Sequence, residues 1–355
     1  MSALPASTLD RPHAGQSGHN AYWRWTKTGW APVDVLAAPT FGRGEDFYVD
    51  VFARIERSGE LKGYRFLLAE YMPASLPFTG RDVVLVVVCD EHYRYPPWLA
   101  DIHAVIRPLG RFPQYREGLP LTRAKLLSLV HFLSKRGKIA IDMLRSAIRR
   151  RDPLFPRVAR RVRHIPLPCY FRFDPTLRPV EERTIDFAFL GSIDYDASHR
   201  RLLHRLLMPP KIATRLEMVA AATAYAQRSS AASLVKTTGD FEQSVQSPDQ
   251  YVAALQNCRI SICPRGSNYE TYRLTESLKA GCIVVGDPLP RAWFYENHPG
   301  IVLDGWAQLP DVLGALLADP ARMATLARQS REHWERCFSE DAIAREITRF
   351  VTALD

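Results

Sequence analysis

Cys263-Pro264-Arg265-Gly266 closes the apolar run Arg259–Cys263, and Tyr269, Tyr272-Arg273 and Glu276 follow on the way to Gly281-Cys282-Ile283-Val284-Val285. The spacing predicts a strand, a glycine-containing turn, a helix over Thr271–Ala280 and a second strand over Cys282–Val285. A turn beyond the carboxyl end of a parallel strand is where open α/β sheets bind ligands. The first N–H groups of the helix would face an anion, and Gly266 would let a phosphate come close. Arg273 and Glu276 are three apart, so one helical face carries both while Leu274 and Leu278 turn toward the core. An arginine for a diphosphate and a carboxylate for a ribose diol would form a nucleotide clamp. A plain surface ion pair is the alternative that spacing alone leaves open.

The string C-P-R-G-x6-R-L-x-E-x4-G-C-I-V-V resembles the donor-site motif of exostosin-like glycosyltransferases, where an S/C-P-R-G turn precedes R-x-x-E and G-C-x-P-V. The match is close over Cys263–Val285 and loose from Asp186 to the C-terminus. It departs at Val284, where the family has proline, a change to a turn rather than to the chemistry. The resemblance implies an α/β protein of GT-B fold, two Rossmann-like domains facing across a cleft. It implies a metal-independent, inverting transfer from a nucleotide-diphosphate sugar to a glycan hydroxyl, with no cofactor. UDP is the favoured nucleotide and GDP the alternative; the setting would be surface polysaccharide or glycoconjugate synthesis. The residues expected around the nucleotide sugar are Gly191, Ser192, Arg265, Gly266, Tyr269, Tyr272, Arg273 and Glu276. Arg200 and Arg201 could reach the same phosphates.

Transfer with inversion needs a base for the acceptor hydroxyl. Asp90-Glu91-His92 follows the strongest apolar run of the first half, and all three are candidates, Glu91 first; Asp46 is an outsider. Capping of the next segment is the competing reading. Asp194-Tyr195-Asp196 has the form that holds a divalent metal in GT-A transferases. An N-cap from Asp196 or Ser198 explains it better, so no metal is expected. Another reading of the whole chain is a non-catalytic binder of sugar nucleotides or glycans.

The elements that must position these groups alternate. Ile185–Leu190 is a strand, His199–Leu207 a helix stopped by Pro209-Pro210, and Ser247–Asn257 a helix with Ser247 as N-cap and Pro248 at its first position. Helices over about 320–336 and 340–353 end the chain. In the first half Asp82–Cys89 is apolar on both faces, as a central parallel strand is. Ala104–Ile106 reads as a strand and Thr122–Arg136 as a helix. A proline-rich connector over 165–180 suggests a tail at 1–19, an acceptor domain at 20–175 and a donor domain at 176–355, with the last helix crossing back.

Of 355 residues, 46% are hydrophobic and 24% charged, which excludes a disordered or fibrous chain. Six cysteines without a Cys-x-x-Cys suggest neither a disulfide framework nor a zinc knuckle. The first residues read as a tail rather than a secretory signal, and a cytoplasmic location is expected. Net charge is +9, carried by the first 180 residues, which hold 28 Lys+Arg against 16 Asp+Glu. Eight arginines between Arg145 and Arg163, with Lys135, Arg136 and Lys138 just before them, suggest a basic stripe for anionic lipid at the inner membrane face, with a solvated face as the alternative. No RNA-binding signature accompanies them, so nucleic acid is not an expected partner.

Overall fold

The computed structural model describes residues 19–42, 44–91, 93–110, 112–119, 123–150, 160–171, 178–193, 210–238 and 247–355. His92, Asp194, Asp196, Arg200, Arg201, the stretch His199–Leu207, Arg151 and Arg157 lie outside them, as do the side chains of Arg149 and Arg150.

A six-stranded sheet occupies the first half in the order β2-β1-β3-β4-β5-β6. Its strands are β1 Ala21–Thr26, β2 Gly29–Pro32, β3 Arg65–Ala69, β4 Gly80–Val87, β5 Ile102–Arg107 and β6 Val162–His164. Only the β1–β2 hairpin is antiparallel. Strand β4 is central because its apolar stretch Val83–Val87 is covered on both faces. Val84, Val86 and Val88 pack toward helix α1, Glu45–Ser58, whereas Val83, Leu85 and Val87 join a second core with Ile139. Ile139 belongs to α2, Arg123–Arg150, twice as long as the expected helix.

The second sheet is wholly parallel, in the order β11-β10-β9-β7-β8. It comprises β7 Ile185–Ser192, β8 Ser233–Thr238, β9 Cys258–Cys263, β10 Ile283–Gly286 and β11 Ile301–Val302. Its helices are α3 Pro210–Arg228, α4 Pro248–Gln256, α5 Tyr272–Lys279, α6 Leu309–Leu317 and α7 Pro320–Cys337. Ser247 caps α4 through a reciprocal capping box with Gln250, with Pro248 at the first position. Gly281, at φ 64°, turns the chain from α5 into β10.

Helix α8, Glu340–Thr352, leaves the second domain and packs on the first. Ile343, Ile347 and Val351 enter the core shared by α1 and β4, and His103 Nε2 meets the Val351 carbonyl at 3.0 Å. Two Rossmann-like domains with their carboxyl strand ends facing each other, and a last helix returned to the first, form the GT-B arrangement.

Candidate functional site

In the second sheet the strand order reverses between β7 and β9, and the crevice at their carboxyl ends is the topological switch point. Gly191-Ser192 ends β7, and Cys263-Pro264-Arg265-Gly266 leaves β9. Arg273, in the first turn of α5, reaches across this crevice. Its guanidinium stacks on Phe189, 4.6 Å from the ring centroid, and lies against Gly191. A Cβ at Gly191 would stand 2.4 Å from Arg273 Nη2, so the glycine makes the notch in which the cation rests. Among the described residues no ion pair or hydrogen bond occupies that guanidinium.

Two further cations come from α3. Buried Arg215 donates to the Ser192 carbonyl, and at 3.4 Å to the Arg265 carbonyl. Lys211, in the first turn of the same helix, has its ammonium pushed down to about 8 by burial and by neighbouring Arg215 and Arg273, against the opposing pull of Glu91. Lys135 of α2 is likewise lowered by burial, Arg265 and Lys138, with Glu91 again opposing. Burial, Lys135 and Arg265 hold His131 down to about 4. Cations crowded into a desolvated crevice disfavour their own protonation, the condition an incoming anion relieves. Neither Lys211 nor Arg215 is marked by any local motif; they sit far upstream, and only the parallel topology brings them to Arg273.

Glu276, one turn beyond Arg273, is buried. Its Oε2 accepts from Tyr251 at 2.6 Å and the Tyr170 backbone N–H also favours the carboxylate, while among the described residues Oε1 lacks a well-aligned hydrogen-bond donor. Burial raises its carboxyl above the ordinary range. An orphan buried acceptor costs about 1–3 kcal/mol, and a ribose hydroxyl is a donor that would satisfy it.

The remaining motif residues serve the contact between domains. Arg265, expected at the diphosphate, is 1% exposed and points instead into the first domain. Its Nη1 pairs with Glu117 and donates to Ser128 Oγ at 2.8 Å, and its charge lies over Tyr269, 4.2 Å from the centroid. Tyr269 stacks on Phe132 and accepts from the Arg116 backbone N–H at 2.8 Å. Gly266 permits the tight turn, since a Cβ there would meet the Glu270 carbonyl at 2.8 Å. Tyr272 packs on Tyr170 and is hydrogen-bonded to Cys89.

Across the crevice, Asp90 and Glu91 follow β4. Asp90 is 2% exposed, paired with buried Arg107 at 3.1 Å, and accepts the Arg94 N–H. Glu91 is exposed, and its charge is felt by both Lys135 and Lys211. Asp46 accepts the Phe41 and Gly42 N–H groups, holding the loop before α1.

No protein-family model and no curated protein sequence matches this chain. Among solved structures it is similar to TarM at 11% identity and a TM-score of 0.43, over 86% of this chain and 58% of that one. It is similar to sucrose-phosphate synthase from Thermosynechococcus elongatus at 13% identity and a TM-score of 0.41, over 93% and 82% of the two chains. It is similar to the glycosyltransferase SnogD from Streptomyces nogalater at 12% identity and a TM-score of 0.38, over 90% and 85%. The chain spans 58% and 60% of the first two matches, TarM and a protein of the GtfA/B complex.

Proposed function

We propose that this protein is a glycosyltransferase that moves a sugar from a nucleotide diphosphate, UDP in preference to GDP, to a hydroxyl of a glycan acceptor. The observation that carries the reading is the Arg273 guanidinium, seated on Gly191 at the switch point and, among the described residues, without an ion pair or hydrogen bond. Lys211 and Arg215 reinforce it, and Glu276 one turn away offers a carboxylate oxygen to the ribose.

In the proposed reaction the acceptor oxygen attacks the anomeric carbon while Glu91 takes its proton. The bond from that carbon to the β-phosphate oxygen breaks, and the electron pair departs with the diphosphate. Arg273 and Lys211 stabilise the charge that develops there. Glu91 is favoured over Asp90 because the Asp90 carboxylate is engaged by Arg107. Arg265 is proposed as a positioning residue that holds the two walls of the cleft together. The transfer is proposed to proceed with inversion and without a metal, so EDTA should leave turnover intact.

Titration of UDP and GDP, followed by a panel of sugar donors, tests this. Arg273→Ala and Glu276→Ala should each weaken nucleotide binding at least about tenfold, the worth of one charge-assisted contact. Unchanged affinities for both variants would reject the assignment. Nucleotide binding without donor hydrolysis or transfer by the wild type would make the protein a binding module instead.

A further inference from the structure

Helix α2 carries six large apolar side chains that face solvent. Leu126, Val130, Leu133, Ile141, Leu144 and Ile148 are each 49–68% exposed. Their spacings of three, four and eight residues place them on one line along the helix, with Gly137, whose Cβ would meet nothing within 4 Å, filling the gap. At 1.5 Å per residue the line is about 33 Å long. The opposite side of α2 is occupied: Ser128 meets Arg265, and Lys135 Nζ donates to Asn268 Oδ1 at 3.2 Å.

Charge decides what covers this stripe. The helix holds eight Lys and Arg residues against one acid, Asp142. On a helical wheel exposed Arg136, whose Nε donates to the Pro113 carbonyl at 3.0 Å, stands on one flank of the stripe, and exposed Lys138 and Arg145, the latter in a solvent-exposed pair with Asp142, on the other. A second copy of the helix would bring like charges together along the seam. An apolar centre between basic flanks instead matches a surface of acyl chains beneath anionic headgroups. Among the described residues no helix is long and apolar enough to cross a membrane, so α2 would lie in the interface.

We infer that the exposed face of α2 docks the protein on an anionic lipid bilayer, with Leu126 to Ile148 sunk among the acyl chains and Arg136, Lys138 and Arg145 at the headgroups. Of the basic residues expected to form a stripe from Lys135 to Arg163, Arg136, Lys138 and Arg145 flank this face. Arg161 donates to the Ala100 and Ile102 carbonyls at 2.8 Å, and Arg163 pairs with Glu346, so both are spent within the fold. The inference does not depend on the sugar-transfer reading.

Co-sedimentation of the full chain with phosphatidylcholine vesicles, with and without phosphatidylglycerol, tests it. The wild type should bind the anionic vesicles and retain part of that binding at high salt, because the apolar stripe is insensitive to screening. Leu133→Gln/Leu144→Gln/Ile148→Gln changes only exposed positions and should lose that salt-resistant fraction. Arg136→Gln/Lys138→Gln/Arg145→Gln should lower affinity for anionic vesicles about 100-fold. Circular dichroism confirms that each variant is folded. A folded wild type that ignores anionic vesicles overturns the inference. So does a wild-type dimer in solution that the apolar variant dissociates, because the stripe would then belong to a second copy.

Discussion

Gly191 and Arg273 form one device, and a single methyl group tests it. Gly191→Ala would place a Cβ 2.4 Å from Arg273 Nη2. The atom it meets is the end of a flexible side chain, so the fold should survive while the guanidinium moves. Thermal unfolding should change little, and UDP affinity should fall about tenfold, the value of one misplaced charge-assisted contact. Lys211 adds a pH signature. Its folded pKa of about 8 lies below the ordinary 10.5, so the fold favours the neutral amine. Its burial cost is therefore fully felt below pH 8 and relieved as pH rises from about 8 to 10.5. A diphosphate does the reverse, favouring the ammonium. Nucleotide affinity should fall as pH rises above about 8, and binding there should take up protons, measurable by calorimetry in buffers of different ionisation enthalpy. Lys211→Met should flatten that pH dependence.

Among the elements, helix α8 is covalently part of the second domain but contributes to the core of the first. Ile347 is fully buried there, so Ile347→Ala should cost about 2–5 kcal/mol in urea unfolding, with the first domain losing the stability. How far the elements could be read depended on local signals. The strands β7, β9 and β10 and helix α4 were legible because apolar runs end at glycine or proline, and Ser247-Pro248 marks a helix start. Helix α1 was missed because it begins after Gly44, in the left-handed region, with no side-chain cap. The β1–β2 hairpin was missed because the alternation Trp23-Arg24-Trp25-Thr26 is short and its burial is irregular: adjacent Tyr22 and Trp23 are both buried, whereas Trp25 is exposed. Arg273 and Glu276 were legible as neighbours on one helical face. The diversion of Arg265 to Glu117 was not, because it depends on a contact between domains that are distant in sequence.

At the scale of the whole molecule, that contact sets how the two cleft walls meet. Arg265, Glu117 and Ser128 form a buried bolt, with Tyr269 and Phe132 stacked beside it. Removing one partner of a buried pair leaves an uncompensated charge. Glu117→Ala should therefore destabilise the protein by about 3–5 kcal/mol, whereas Arg265→Met/Glu117→Leu should cost less, a difference that denaturant unfolding would resolve. With the walls held together, the cations of α3 and α5 face Glu91 across the crevice, and Arg273 is proposed as the principal anion ligand. The most direct measurement is calorimetric titration of UDP into the wild type and Arg273→Ala at neutral pH. Saturable binding to the wild type and a loss of at least about tenfold in the folded variant are expected. Equal affinity in the two proteins, or no binding to the wild type by UDP or GDP, would contradict the proposed role of Arg273.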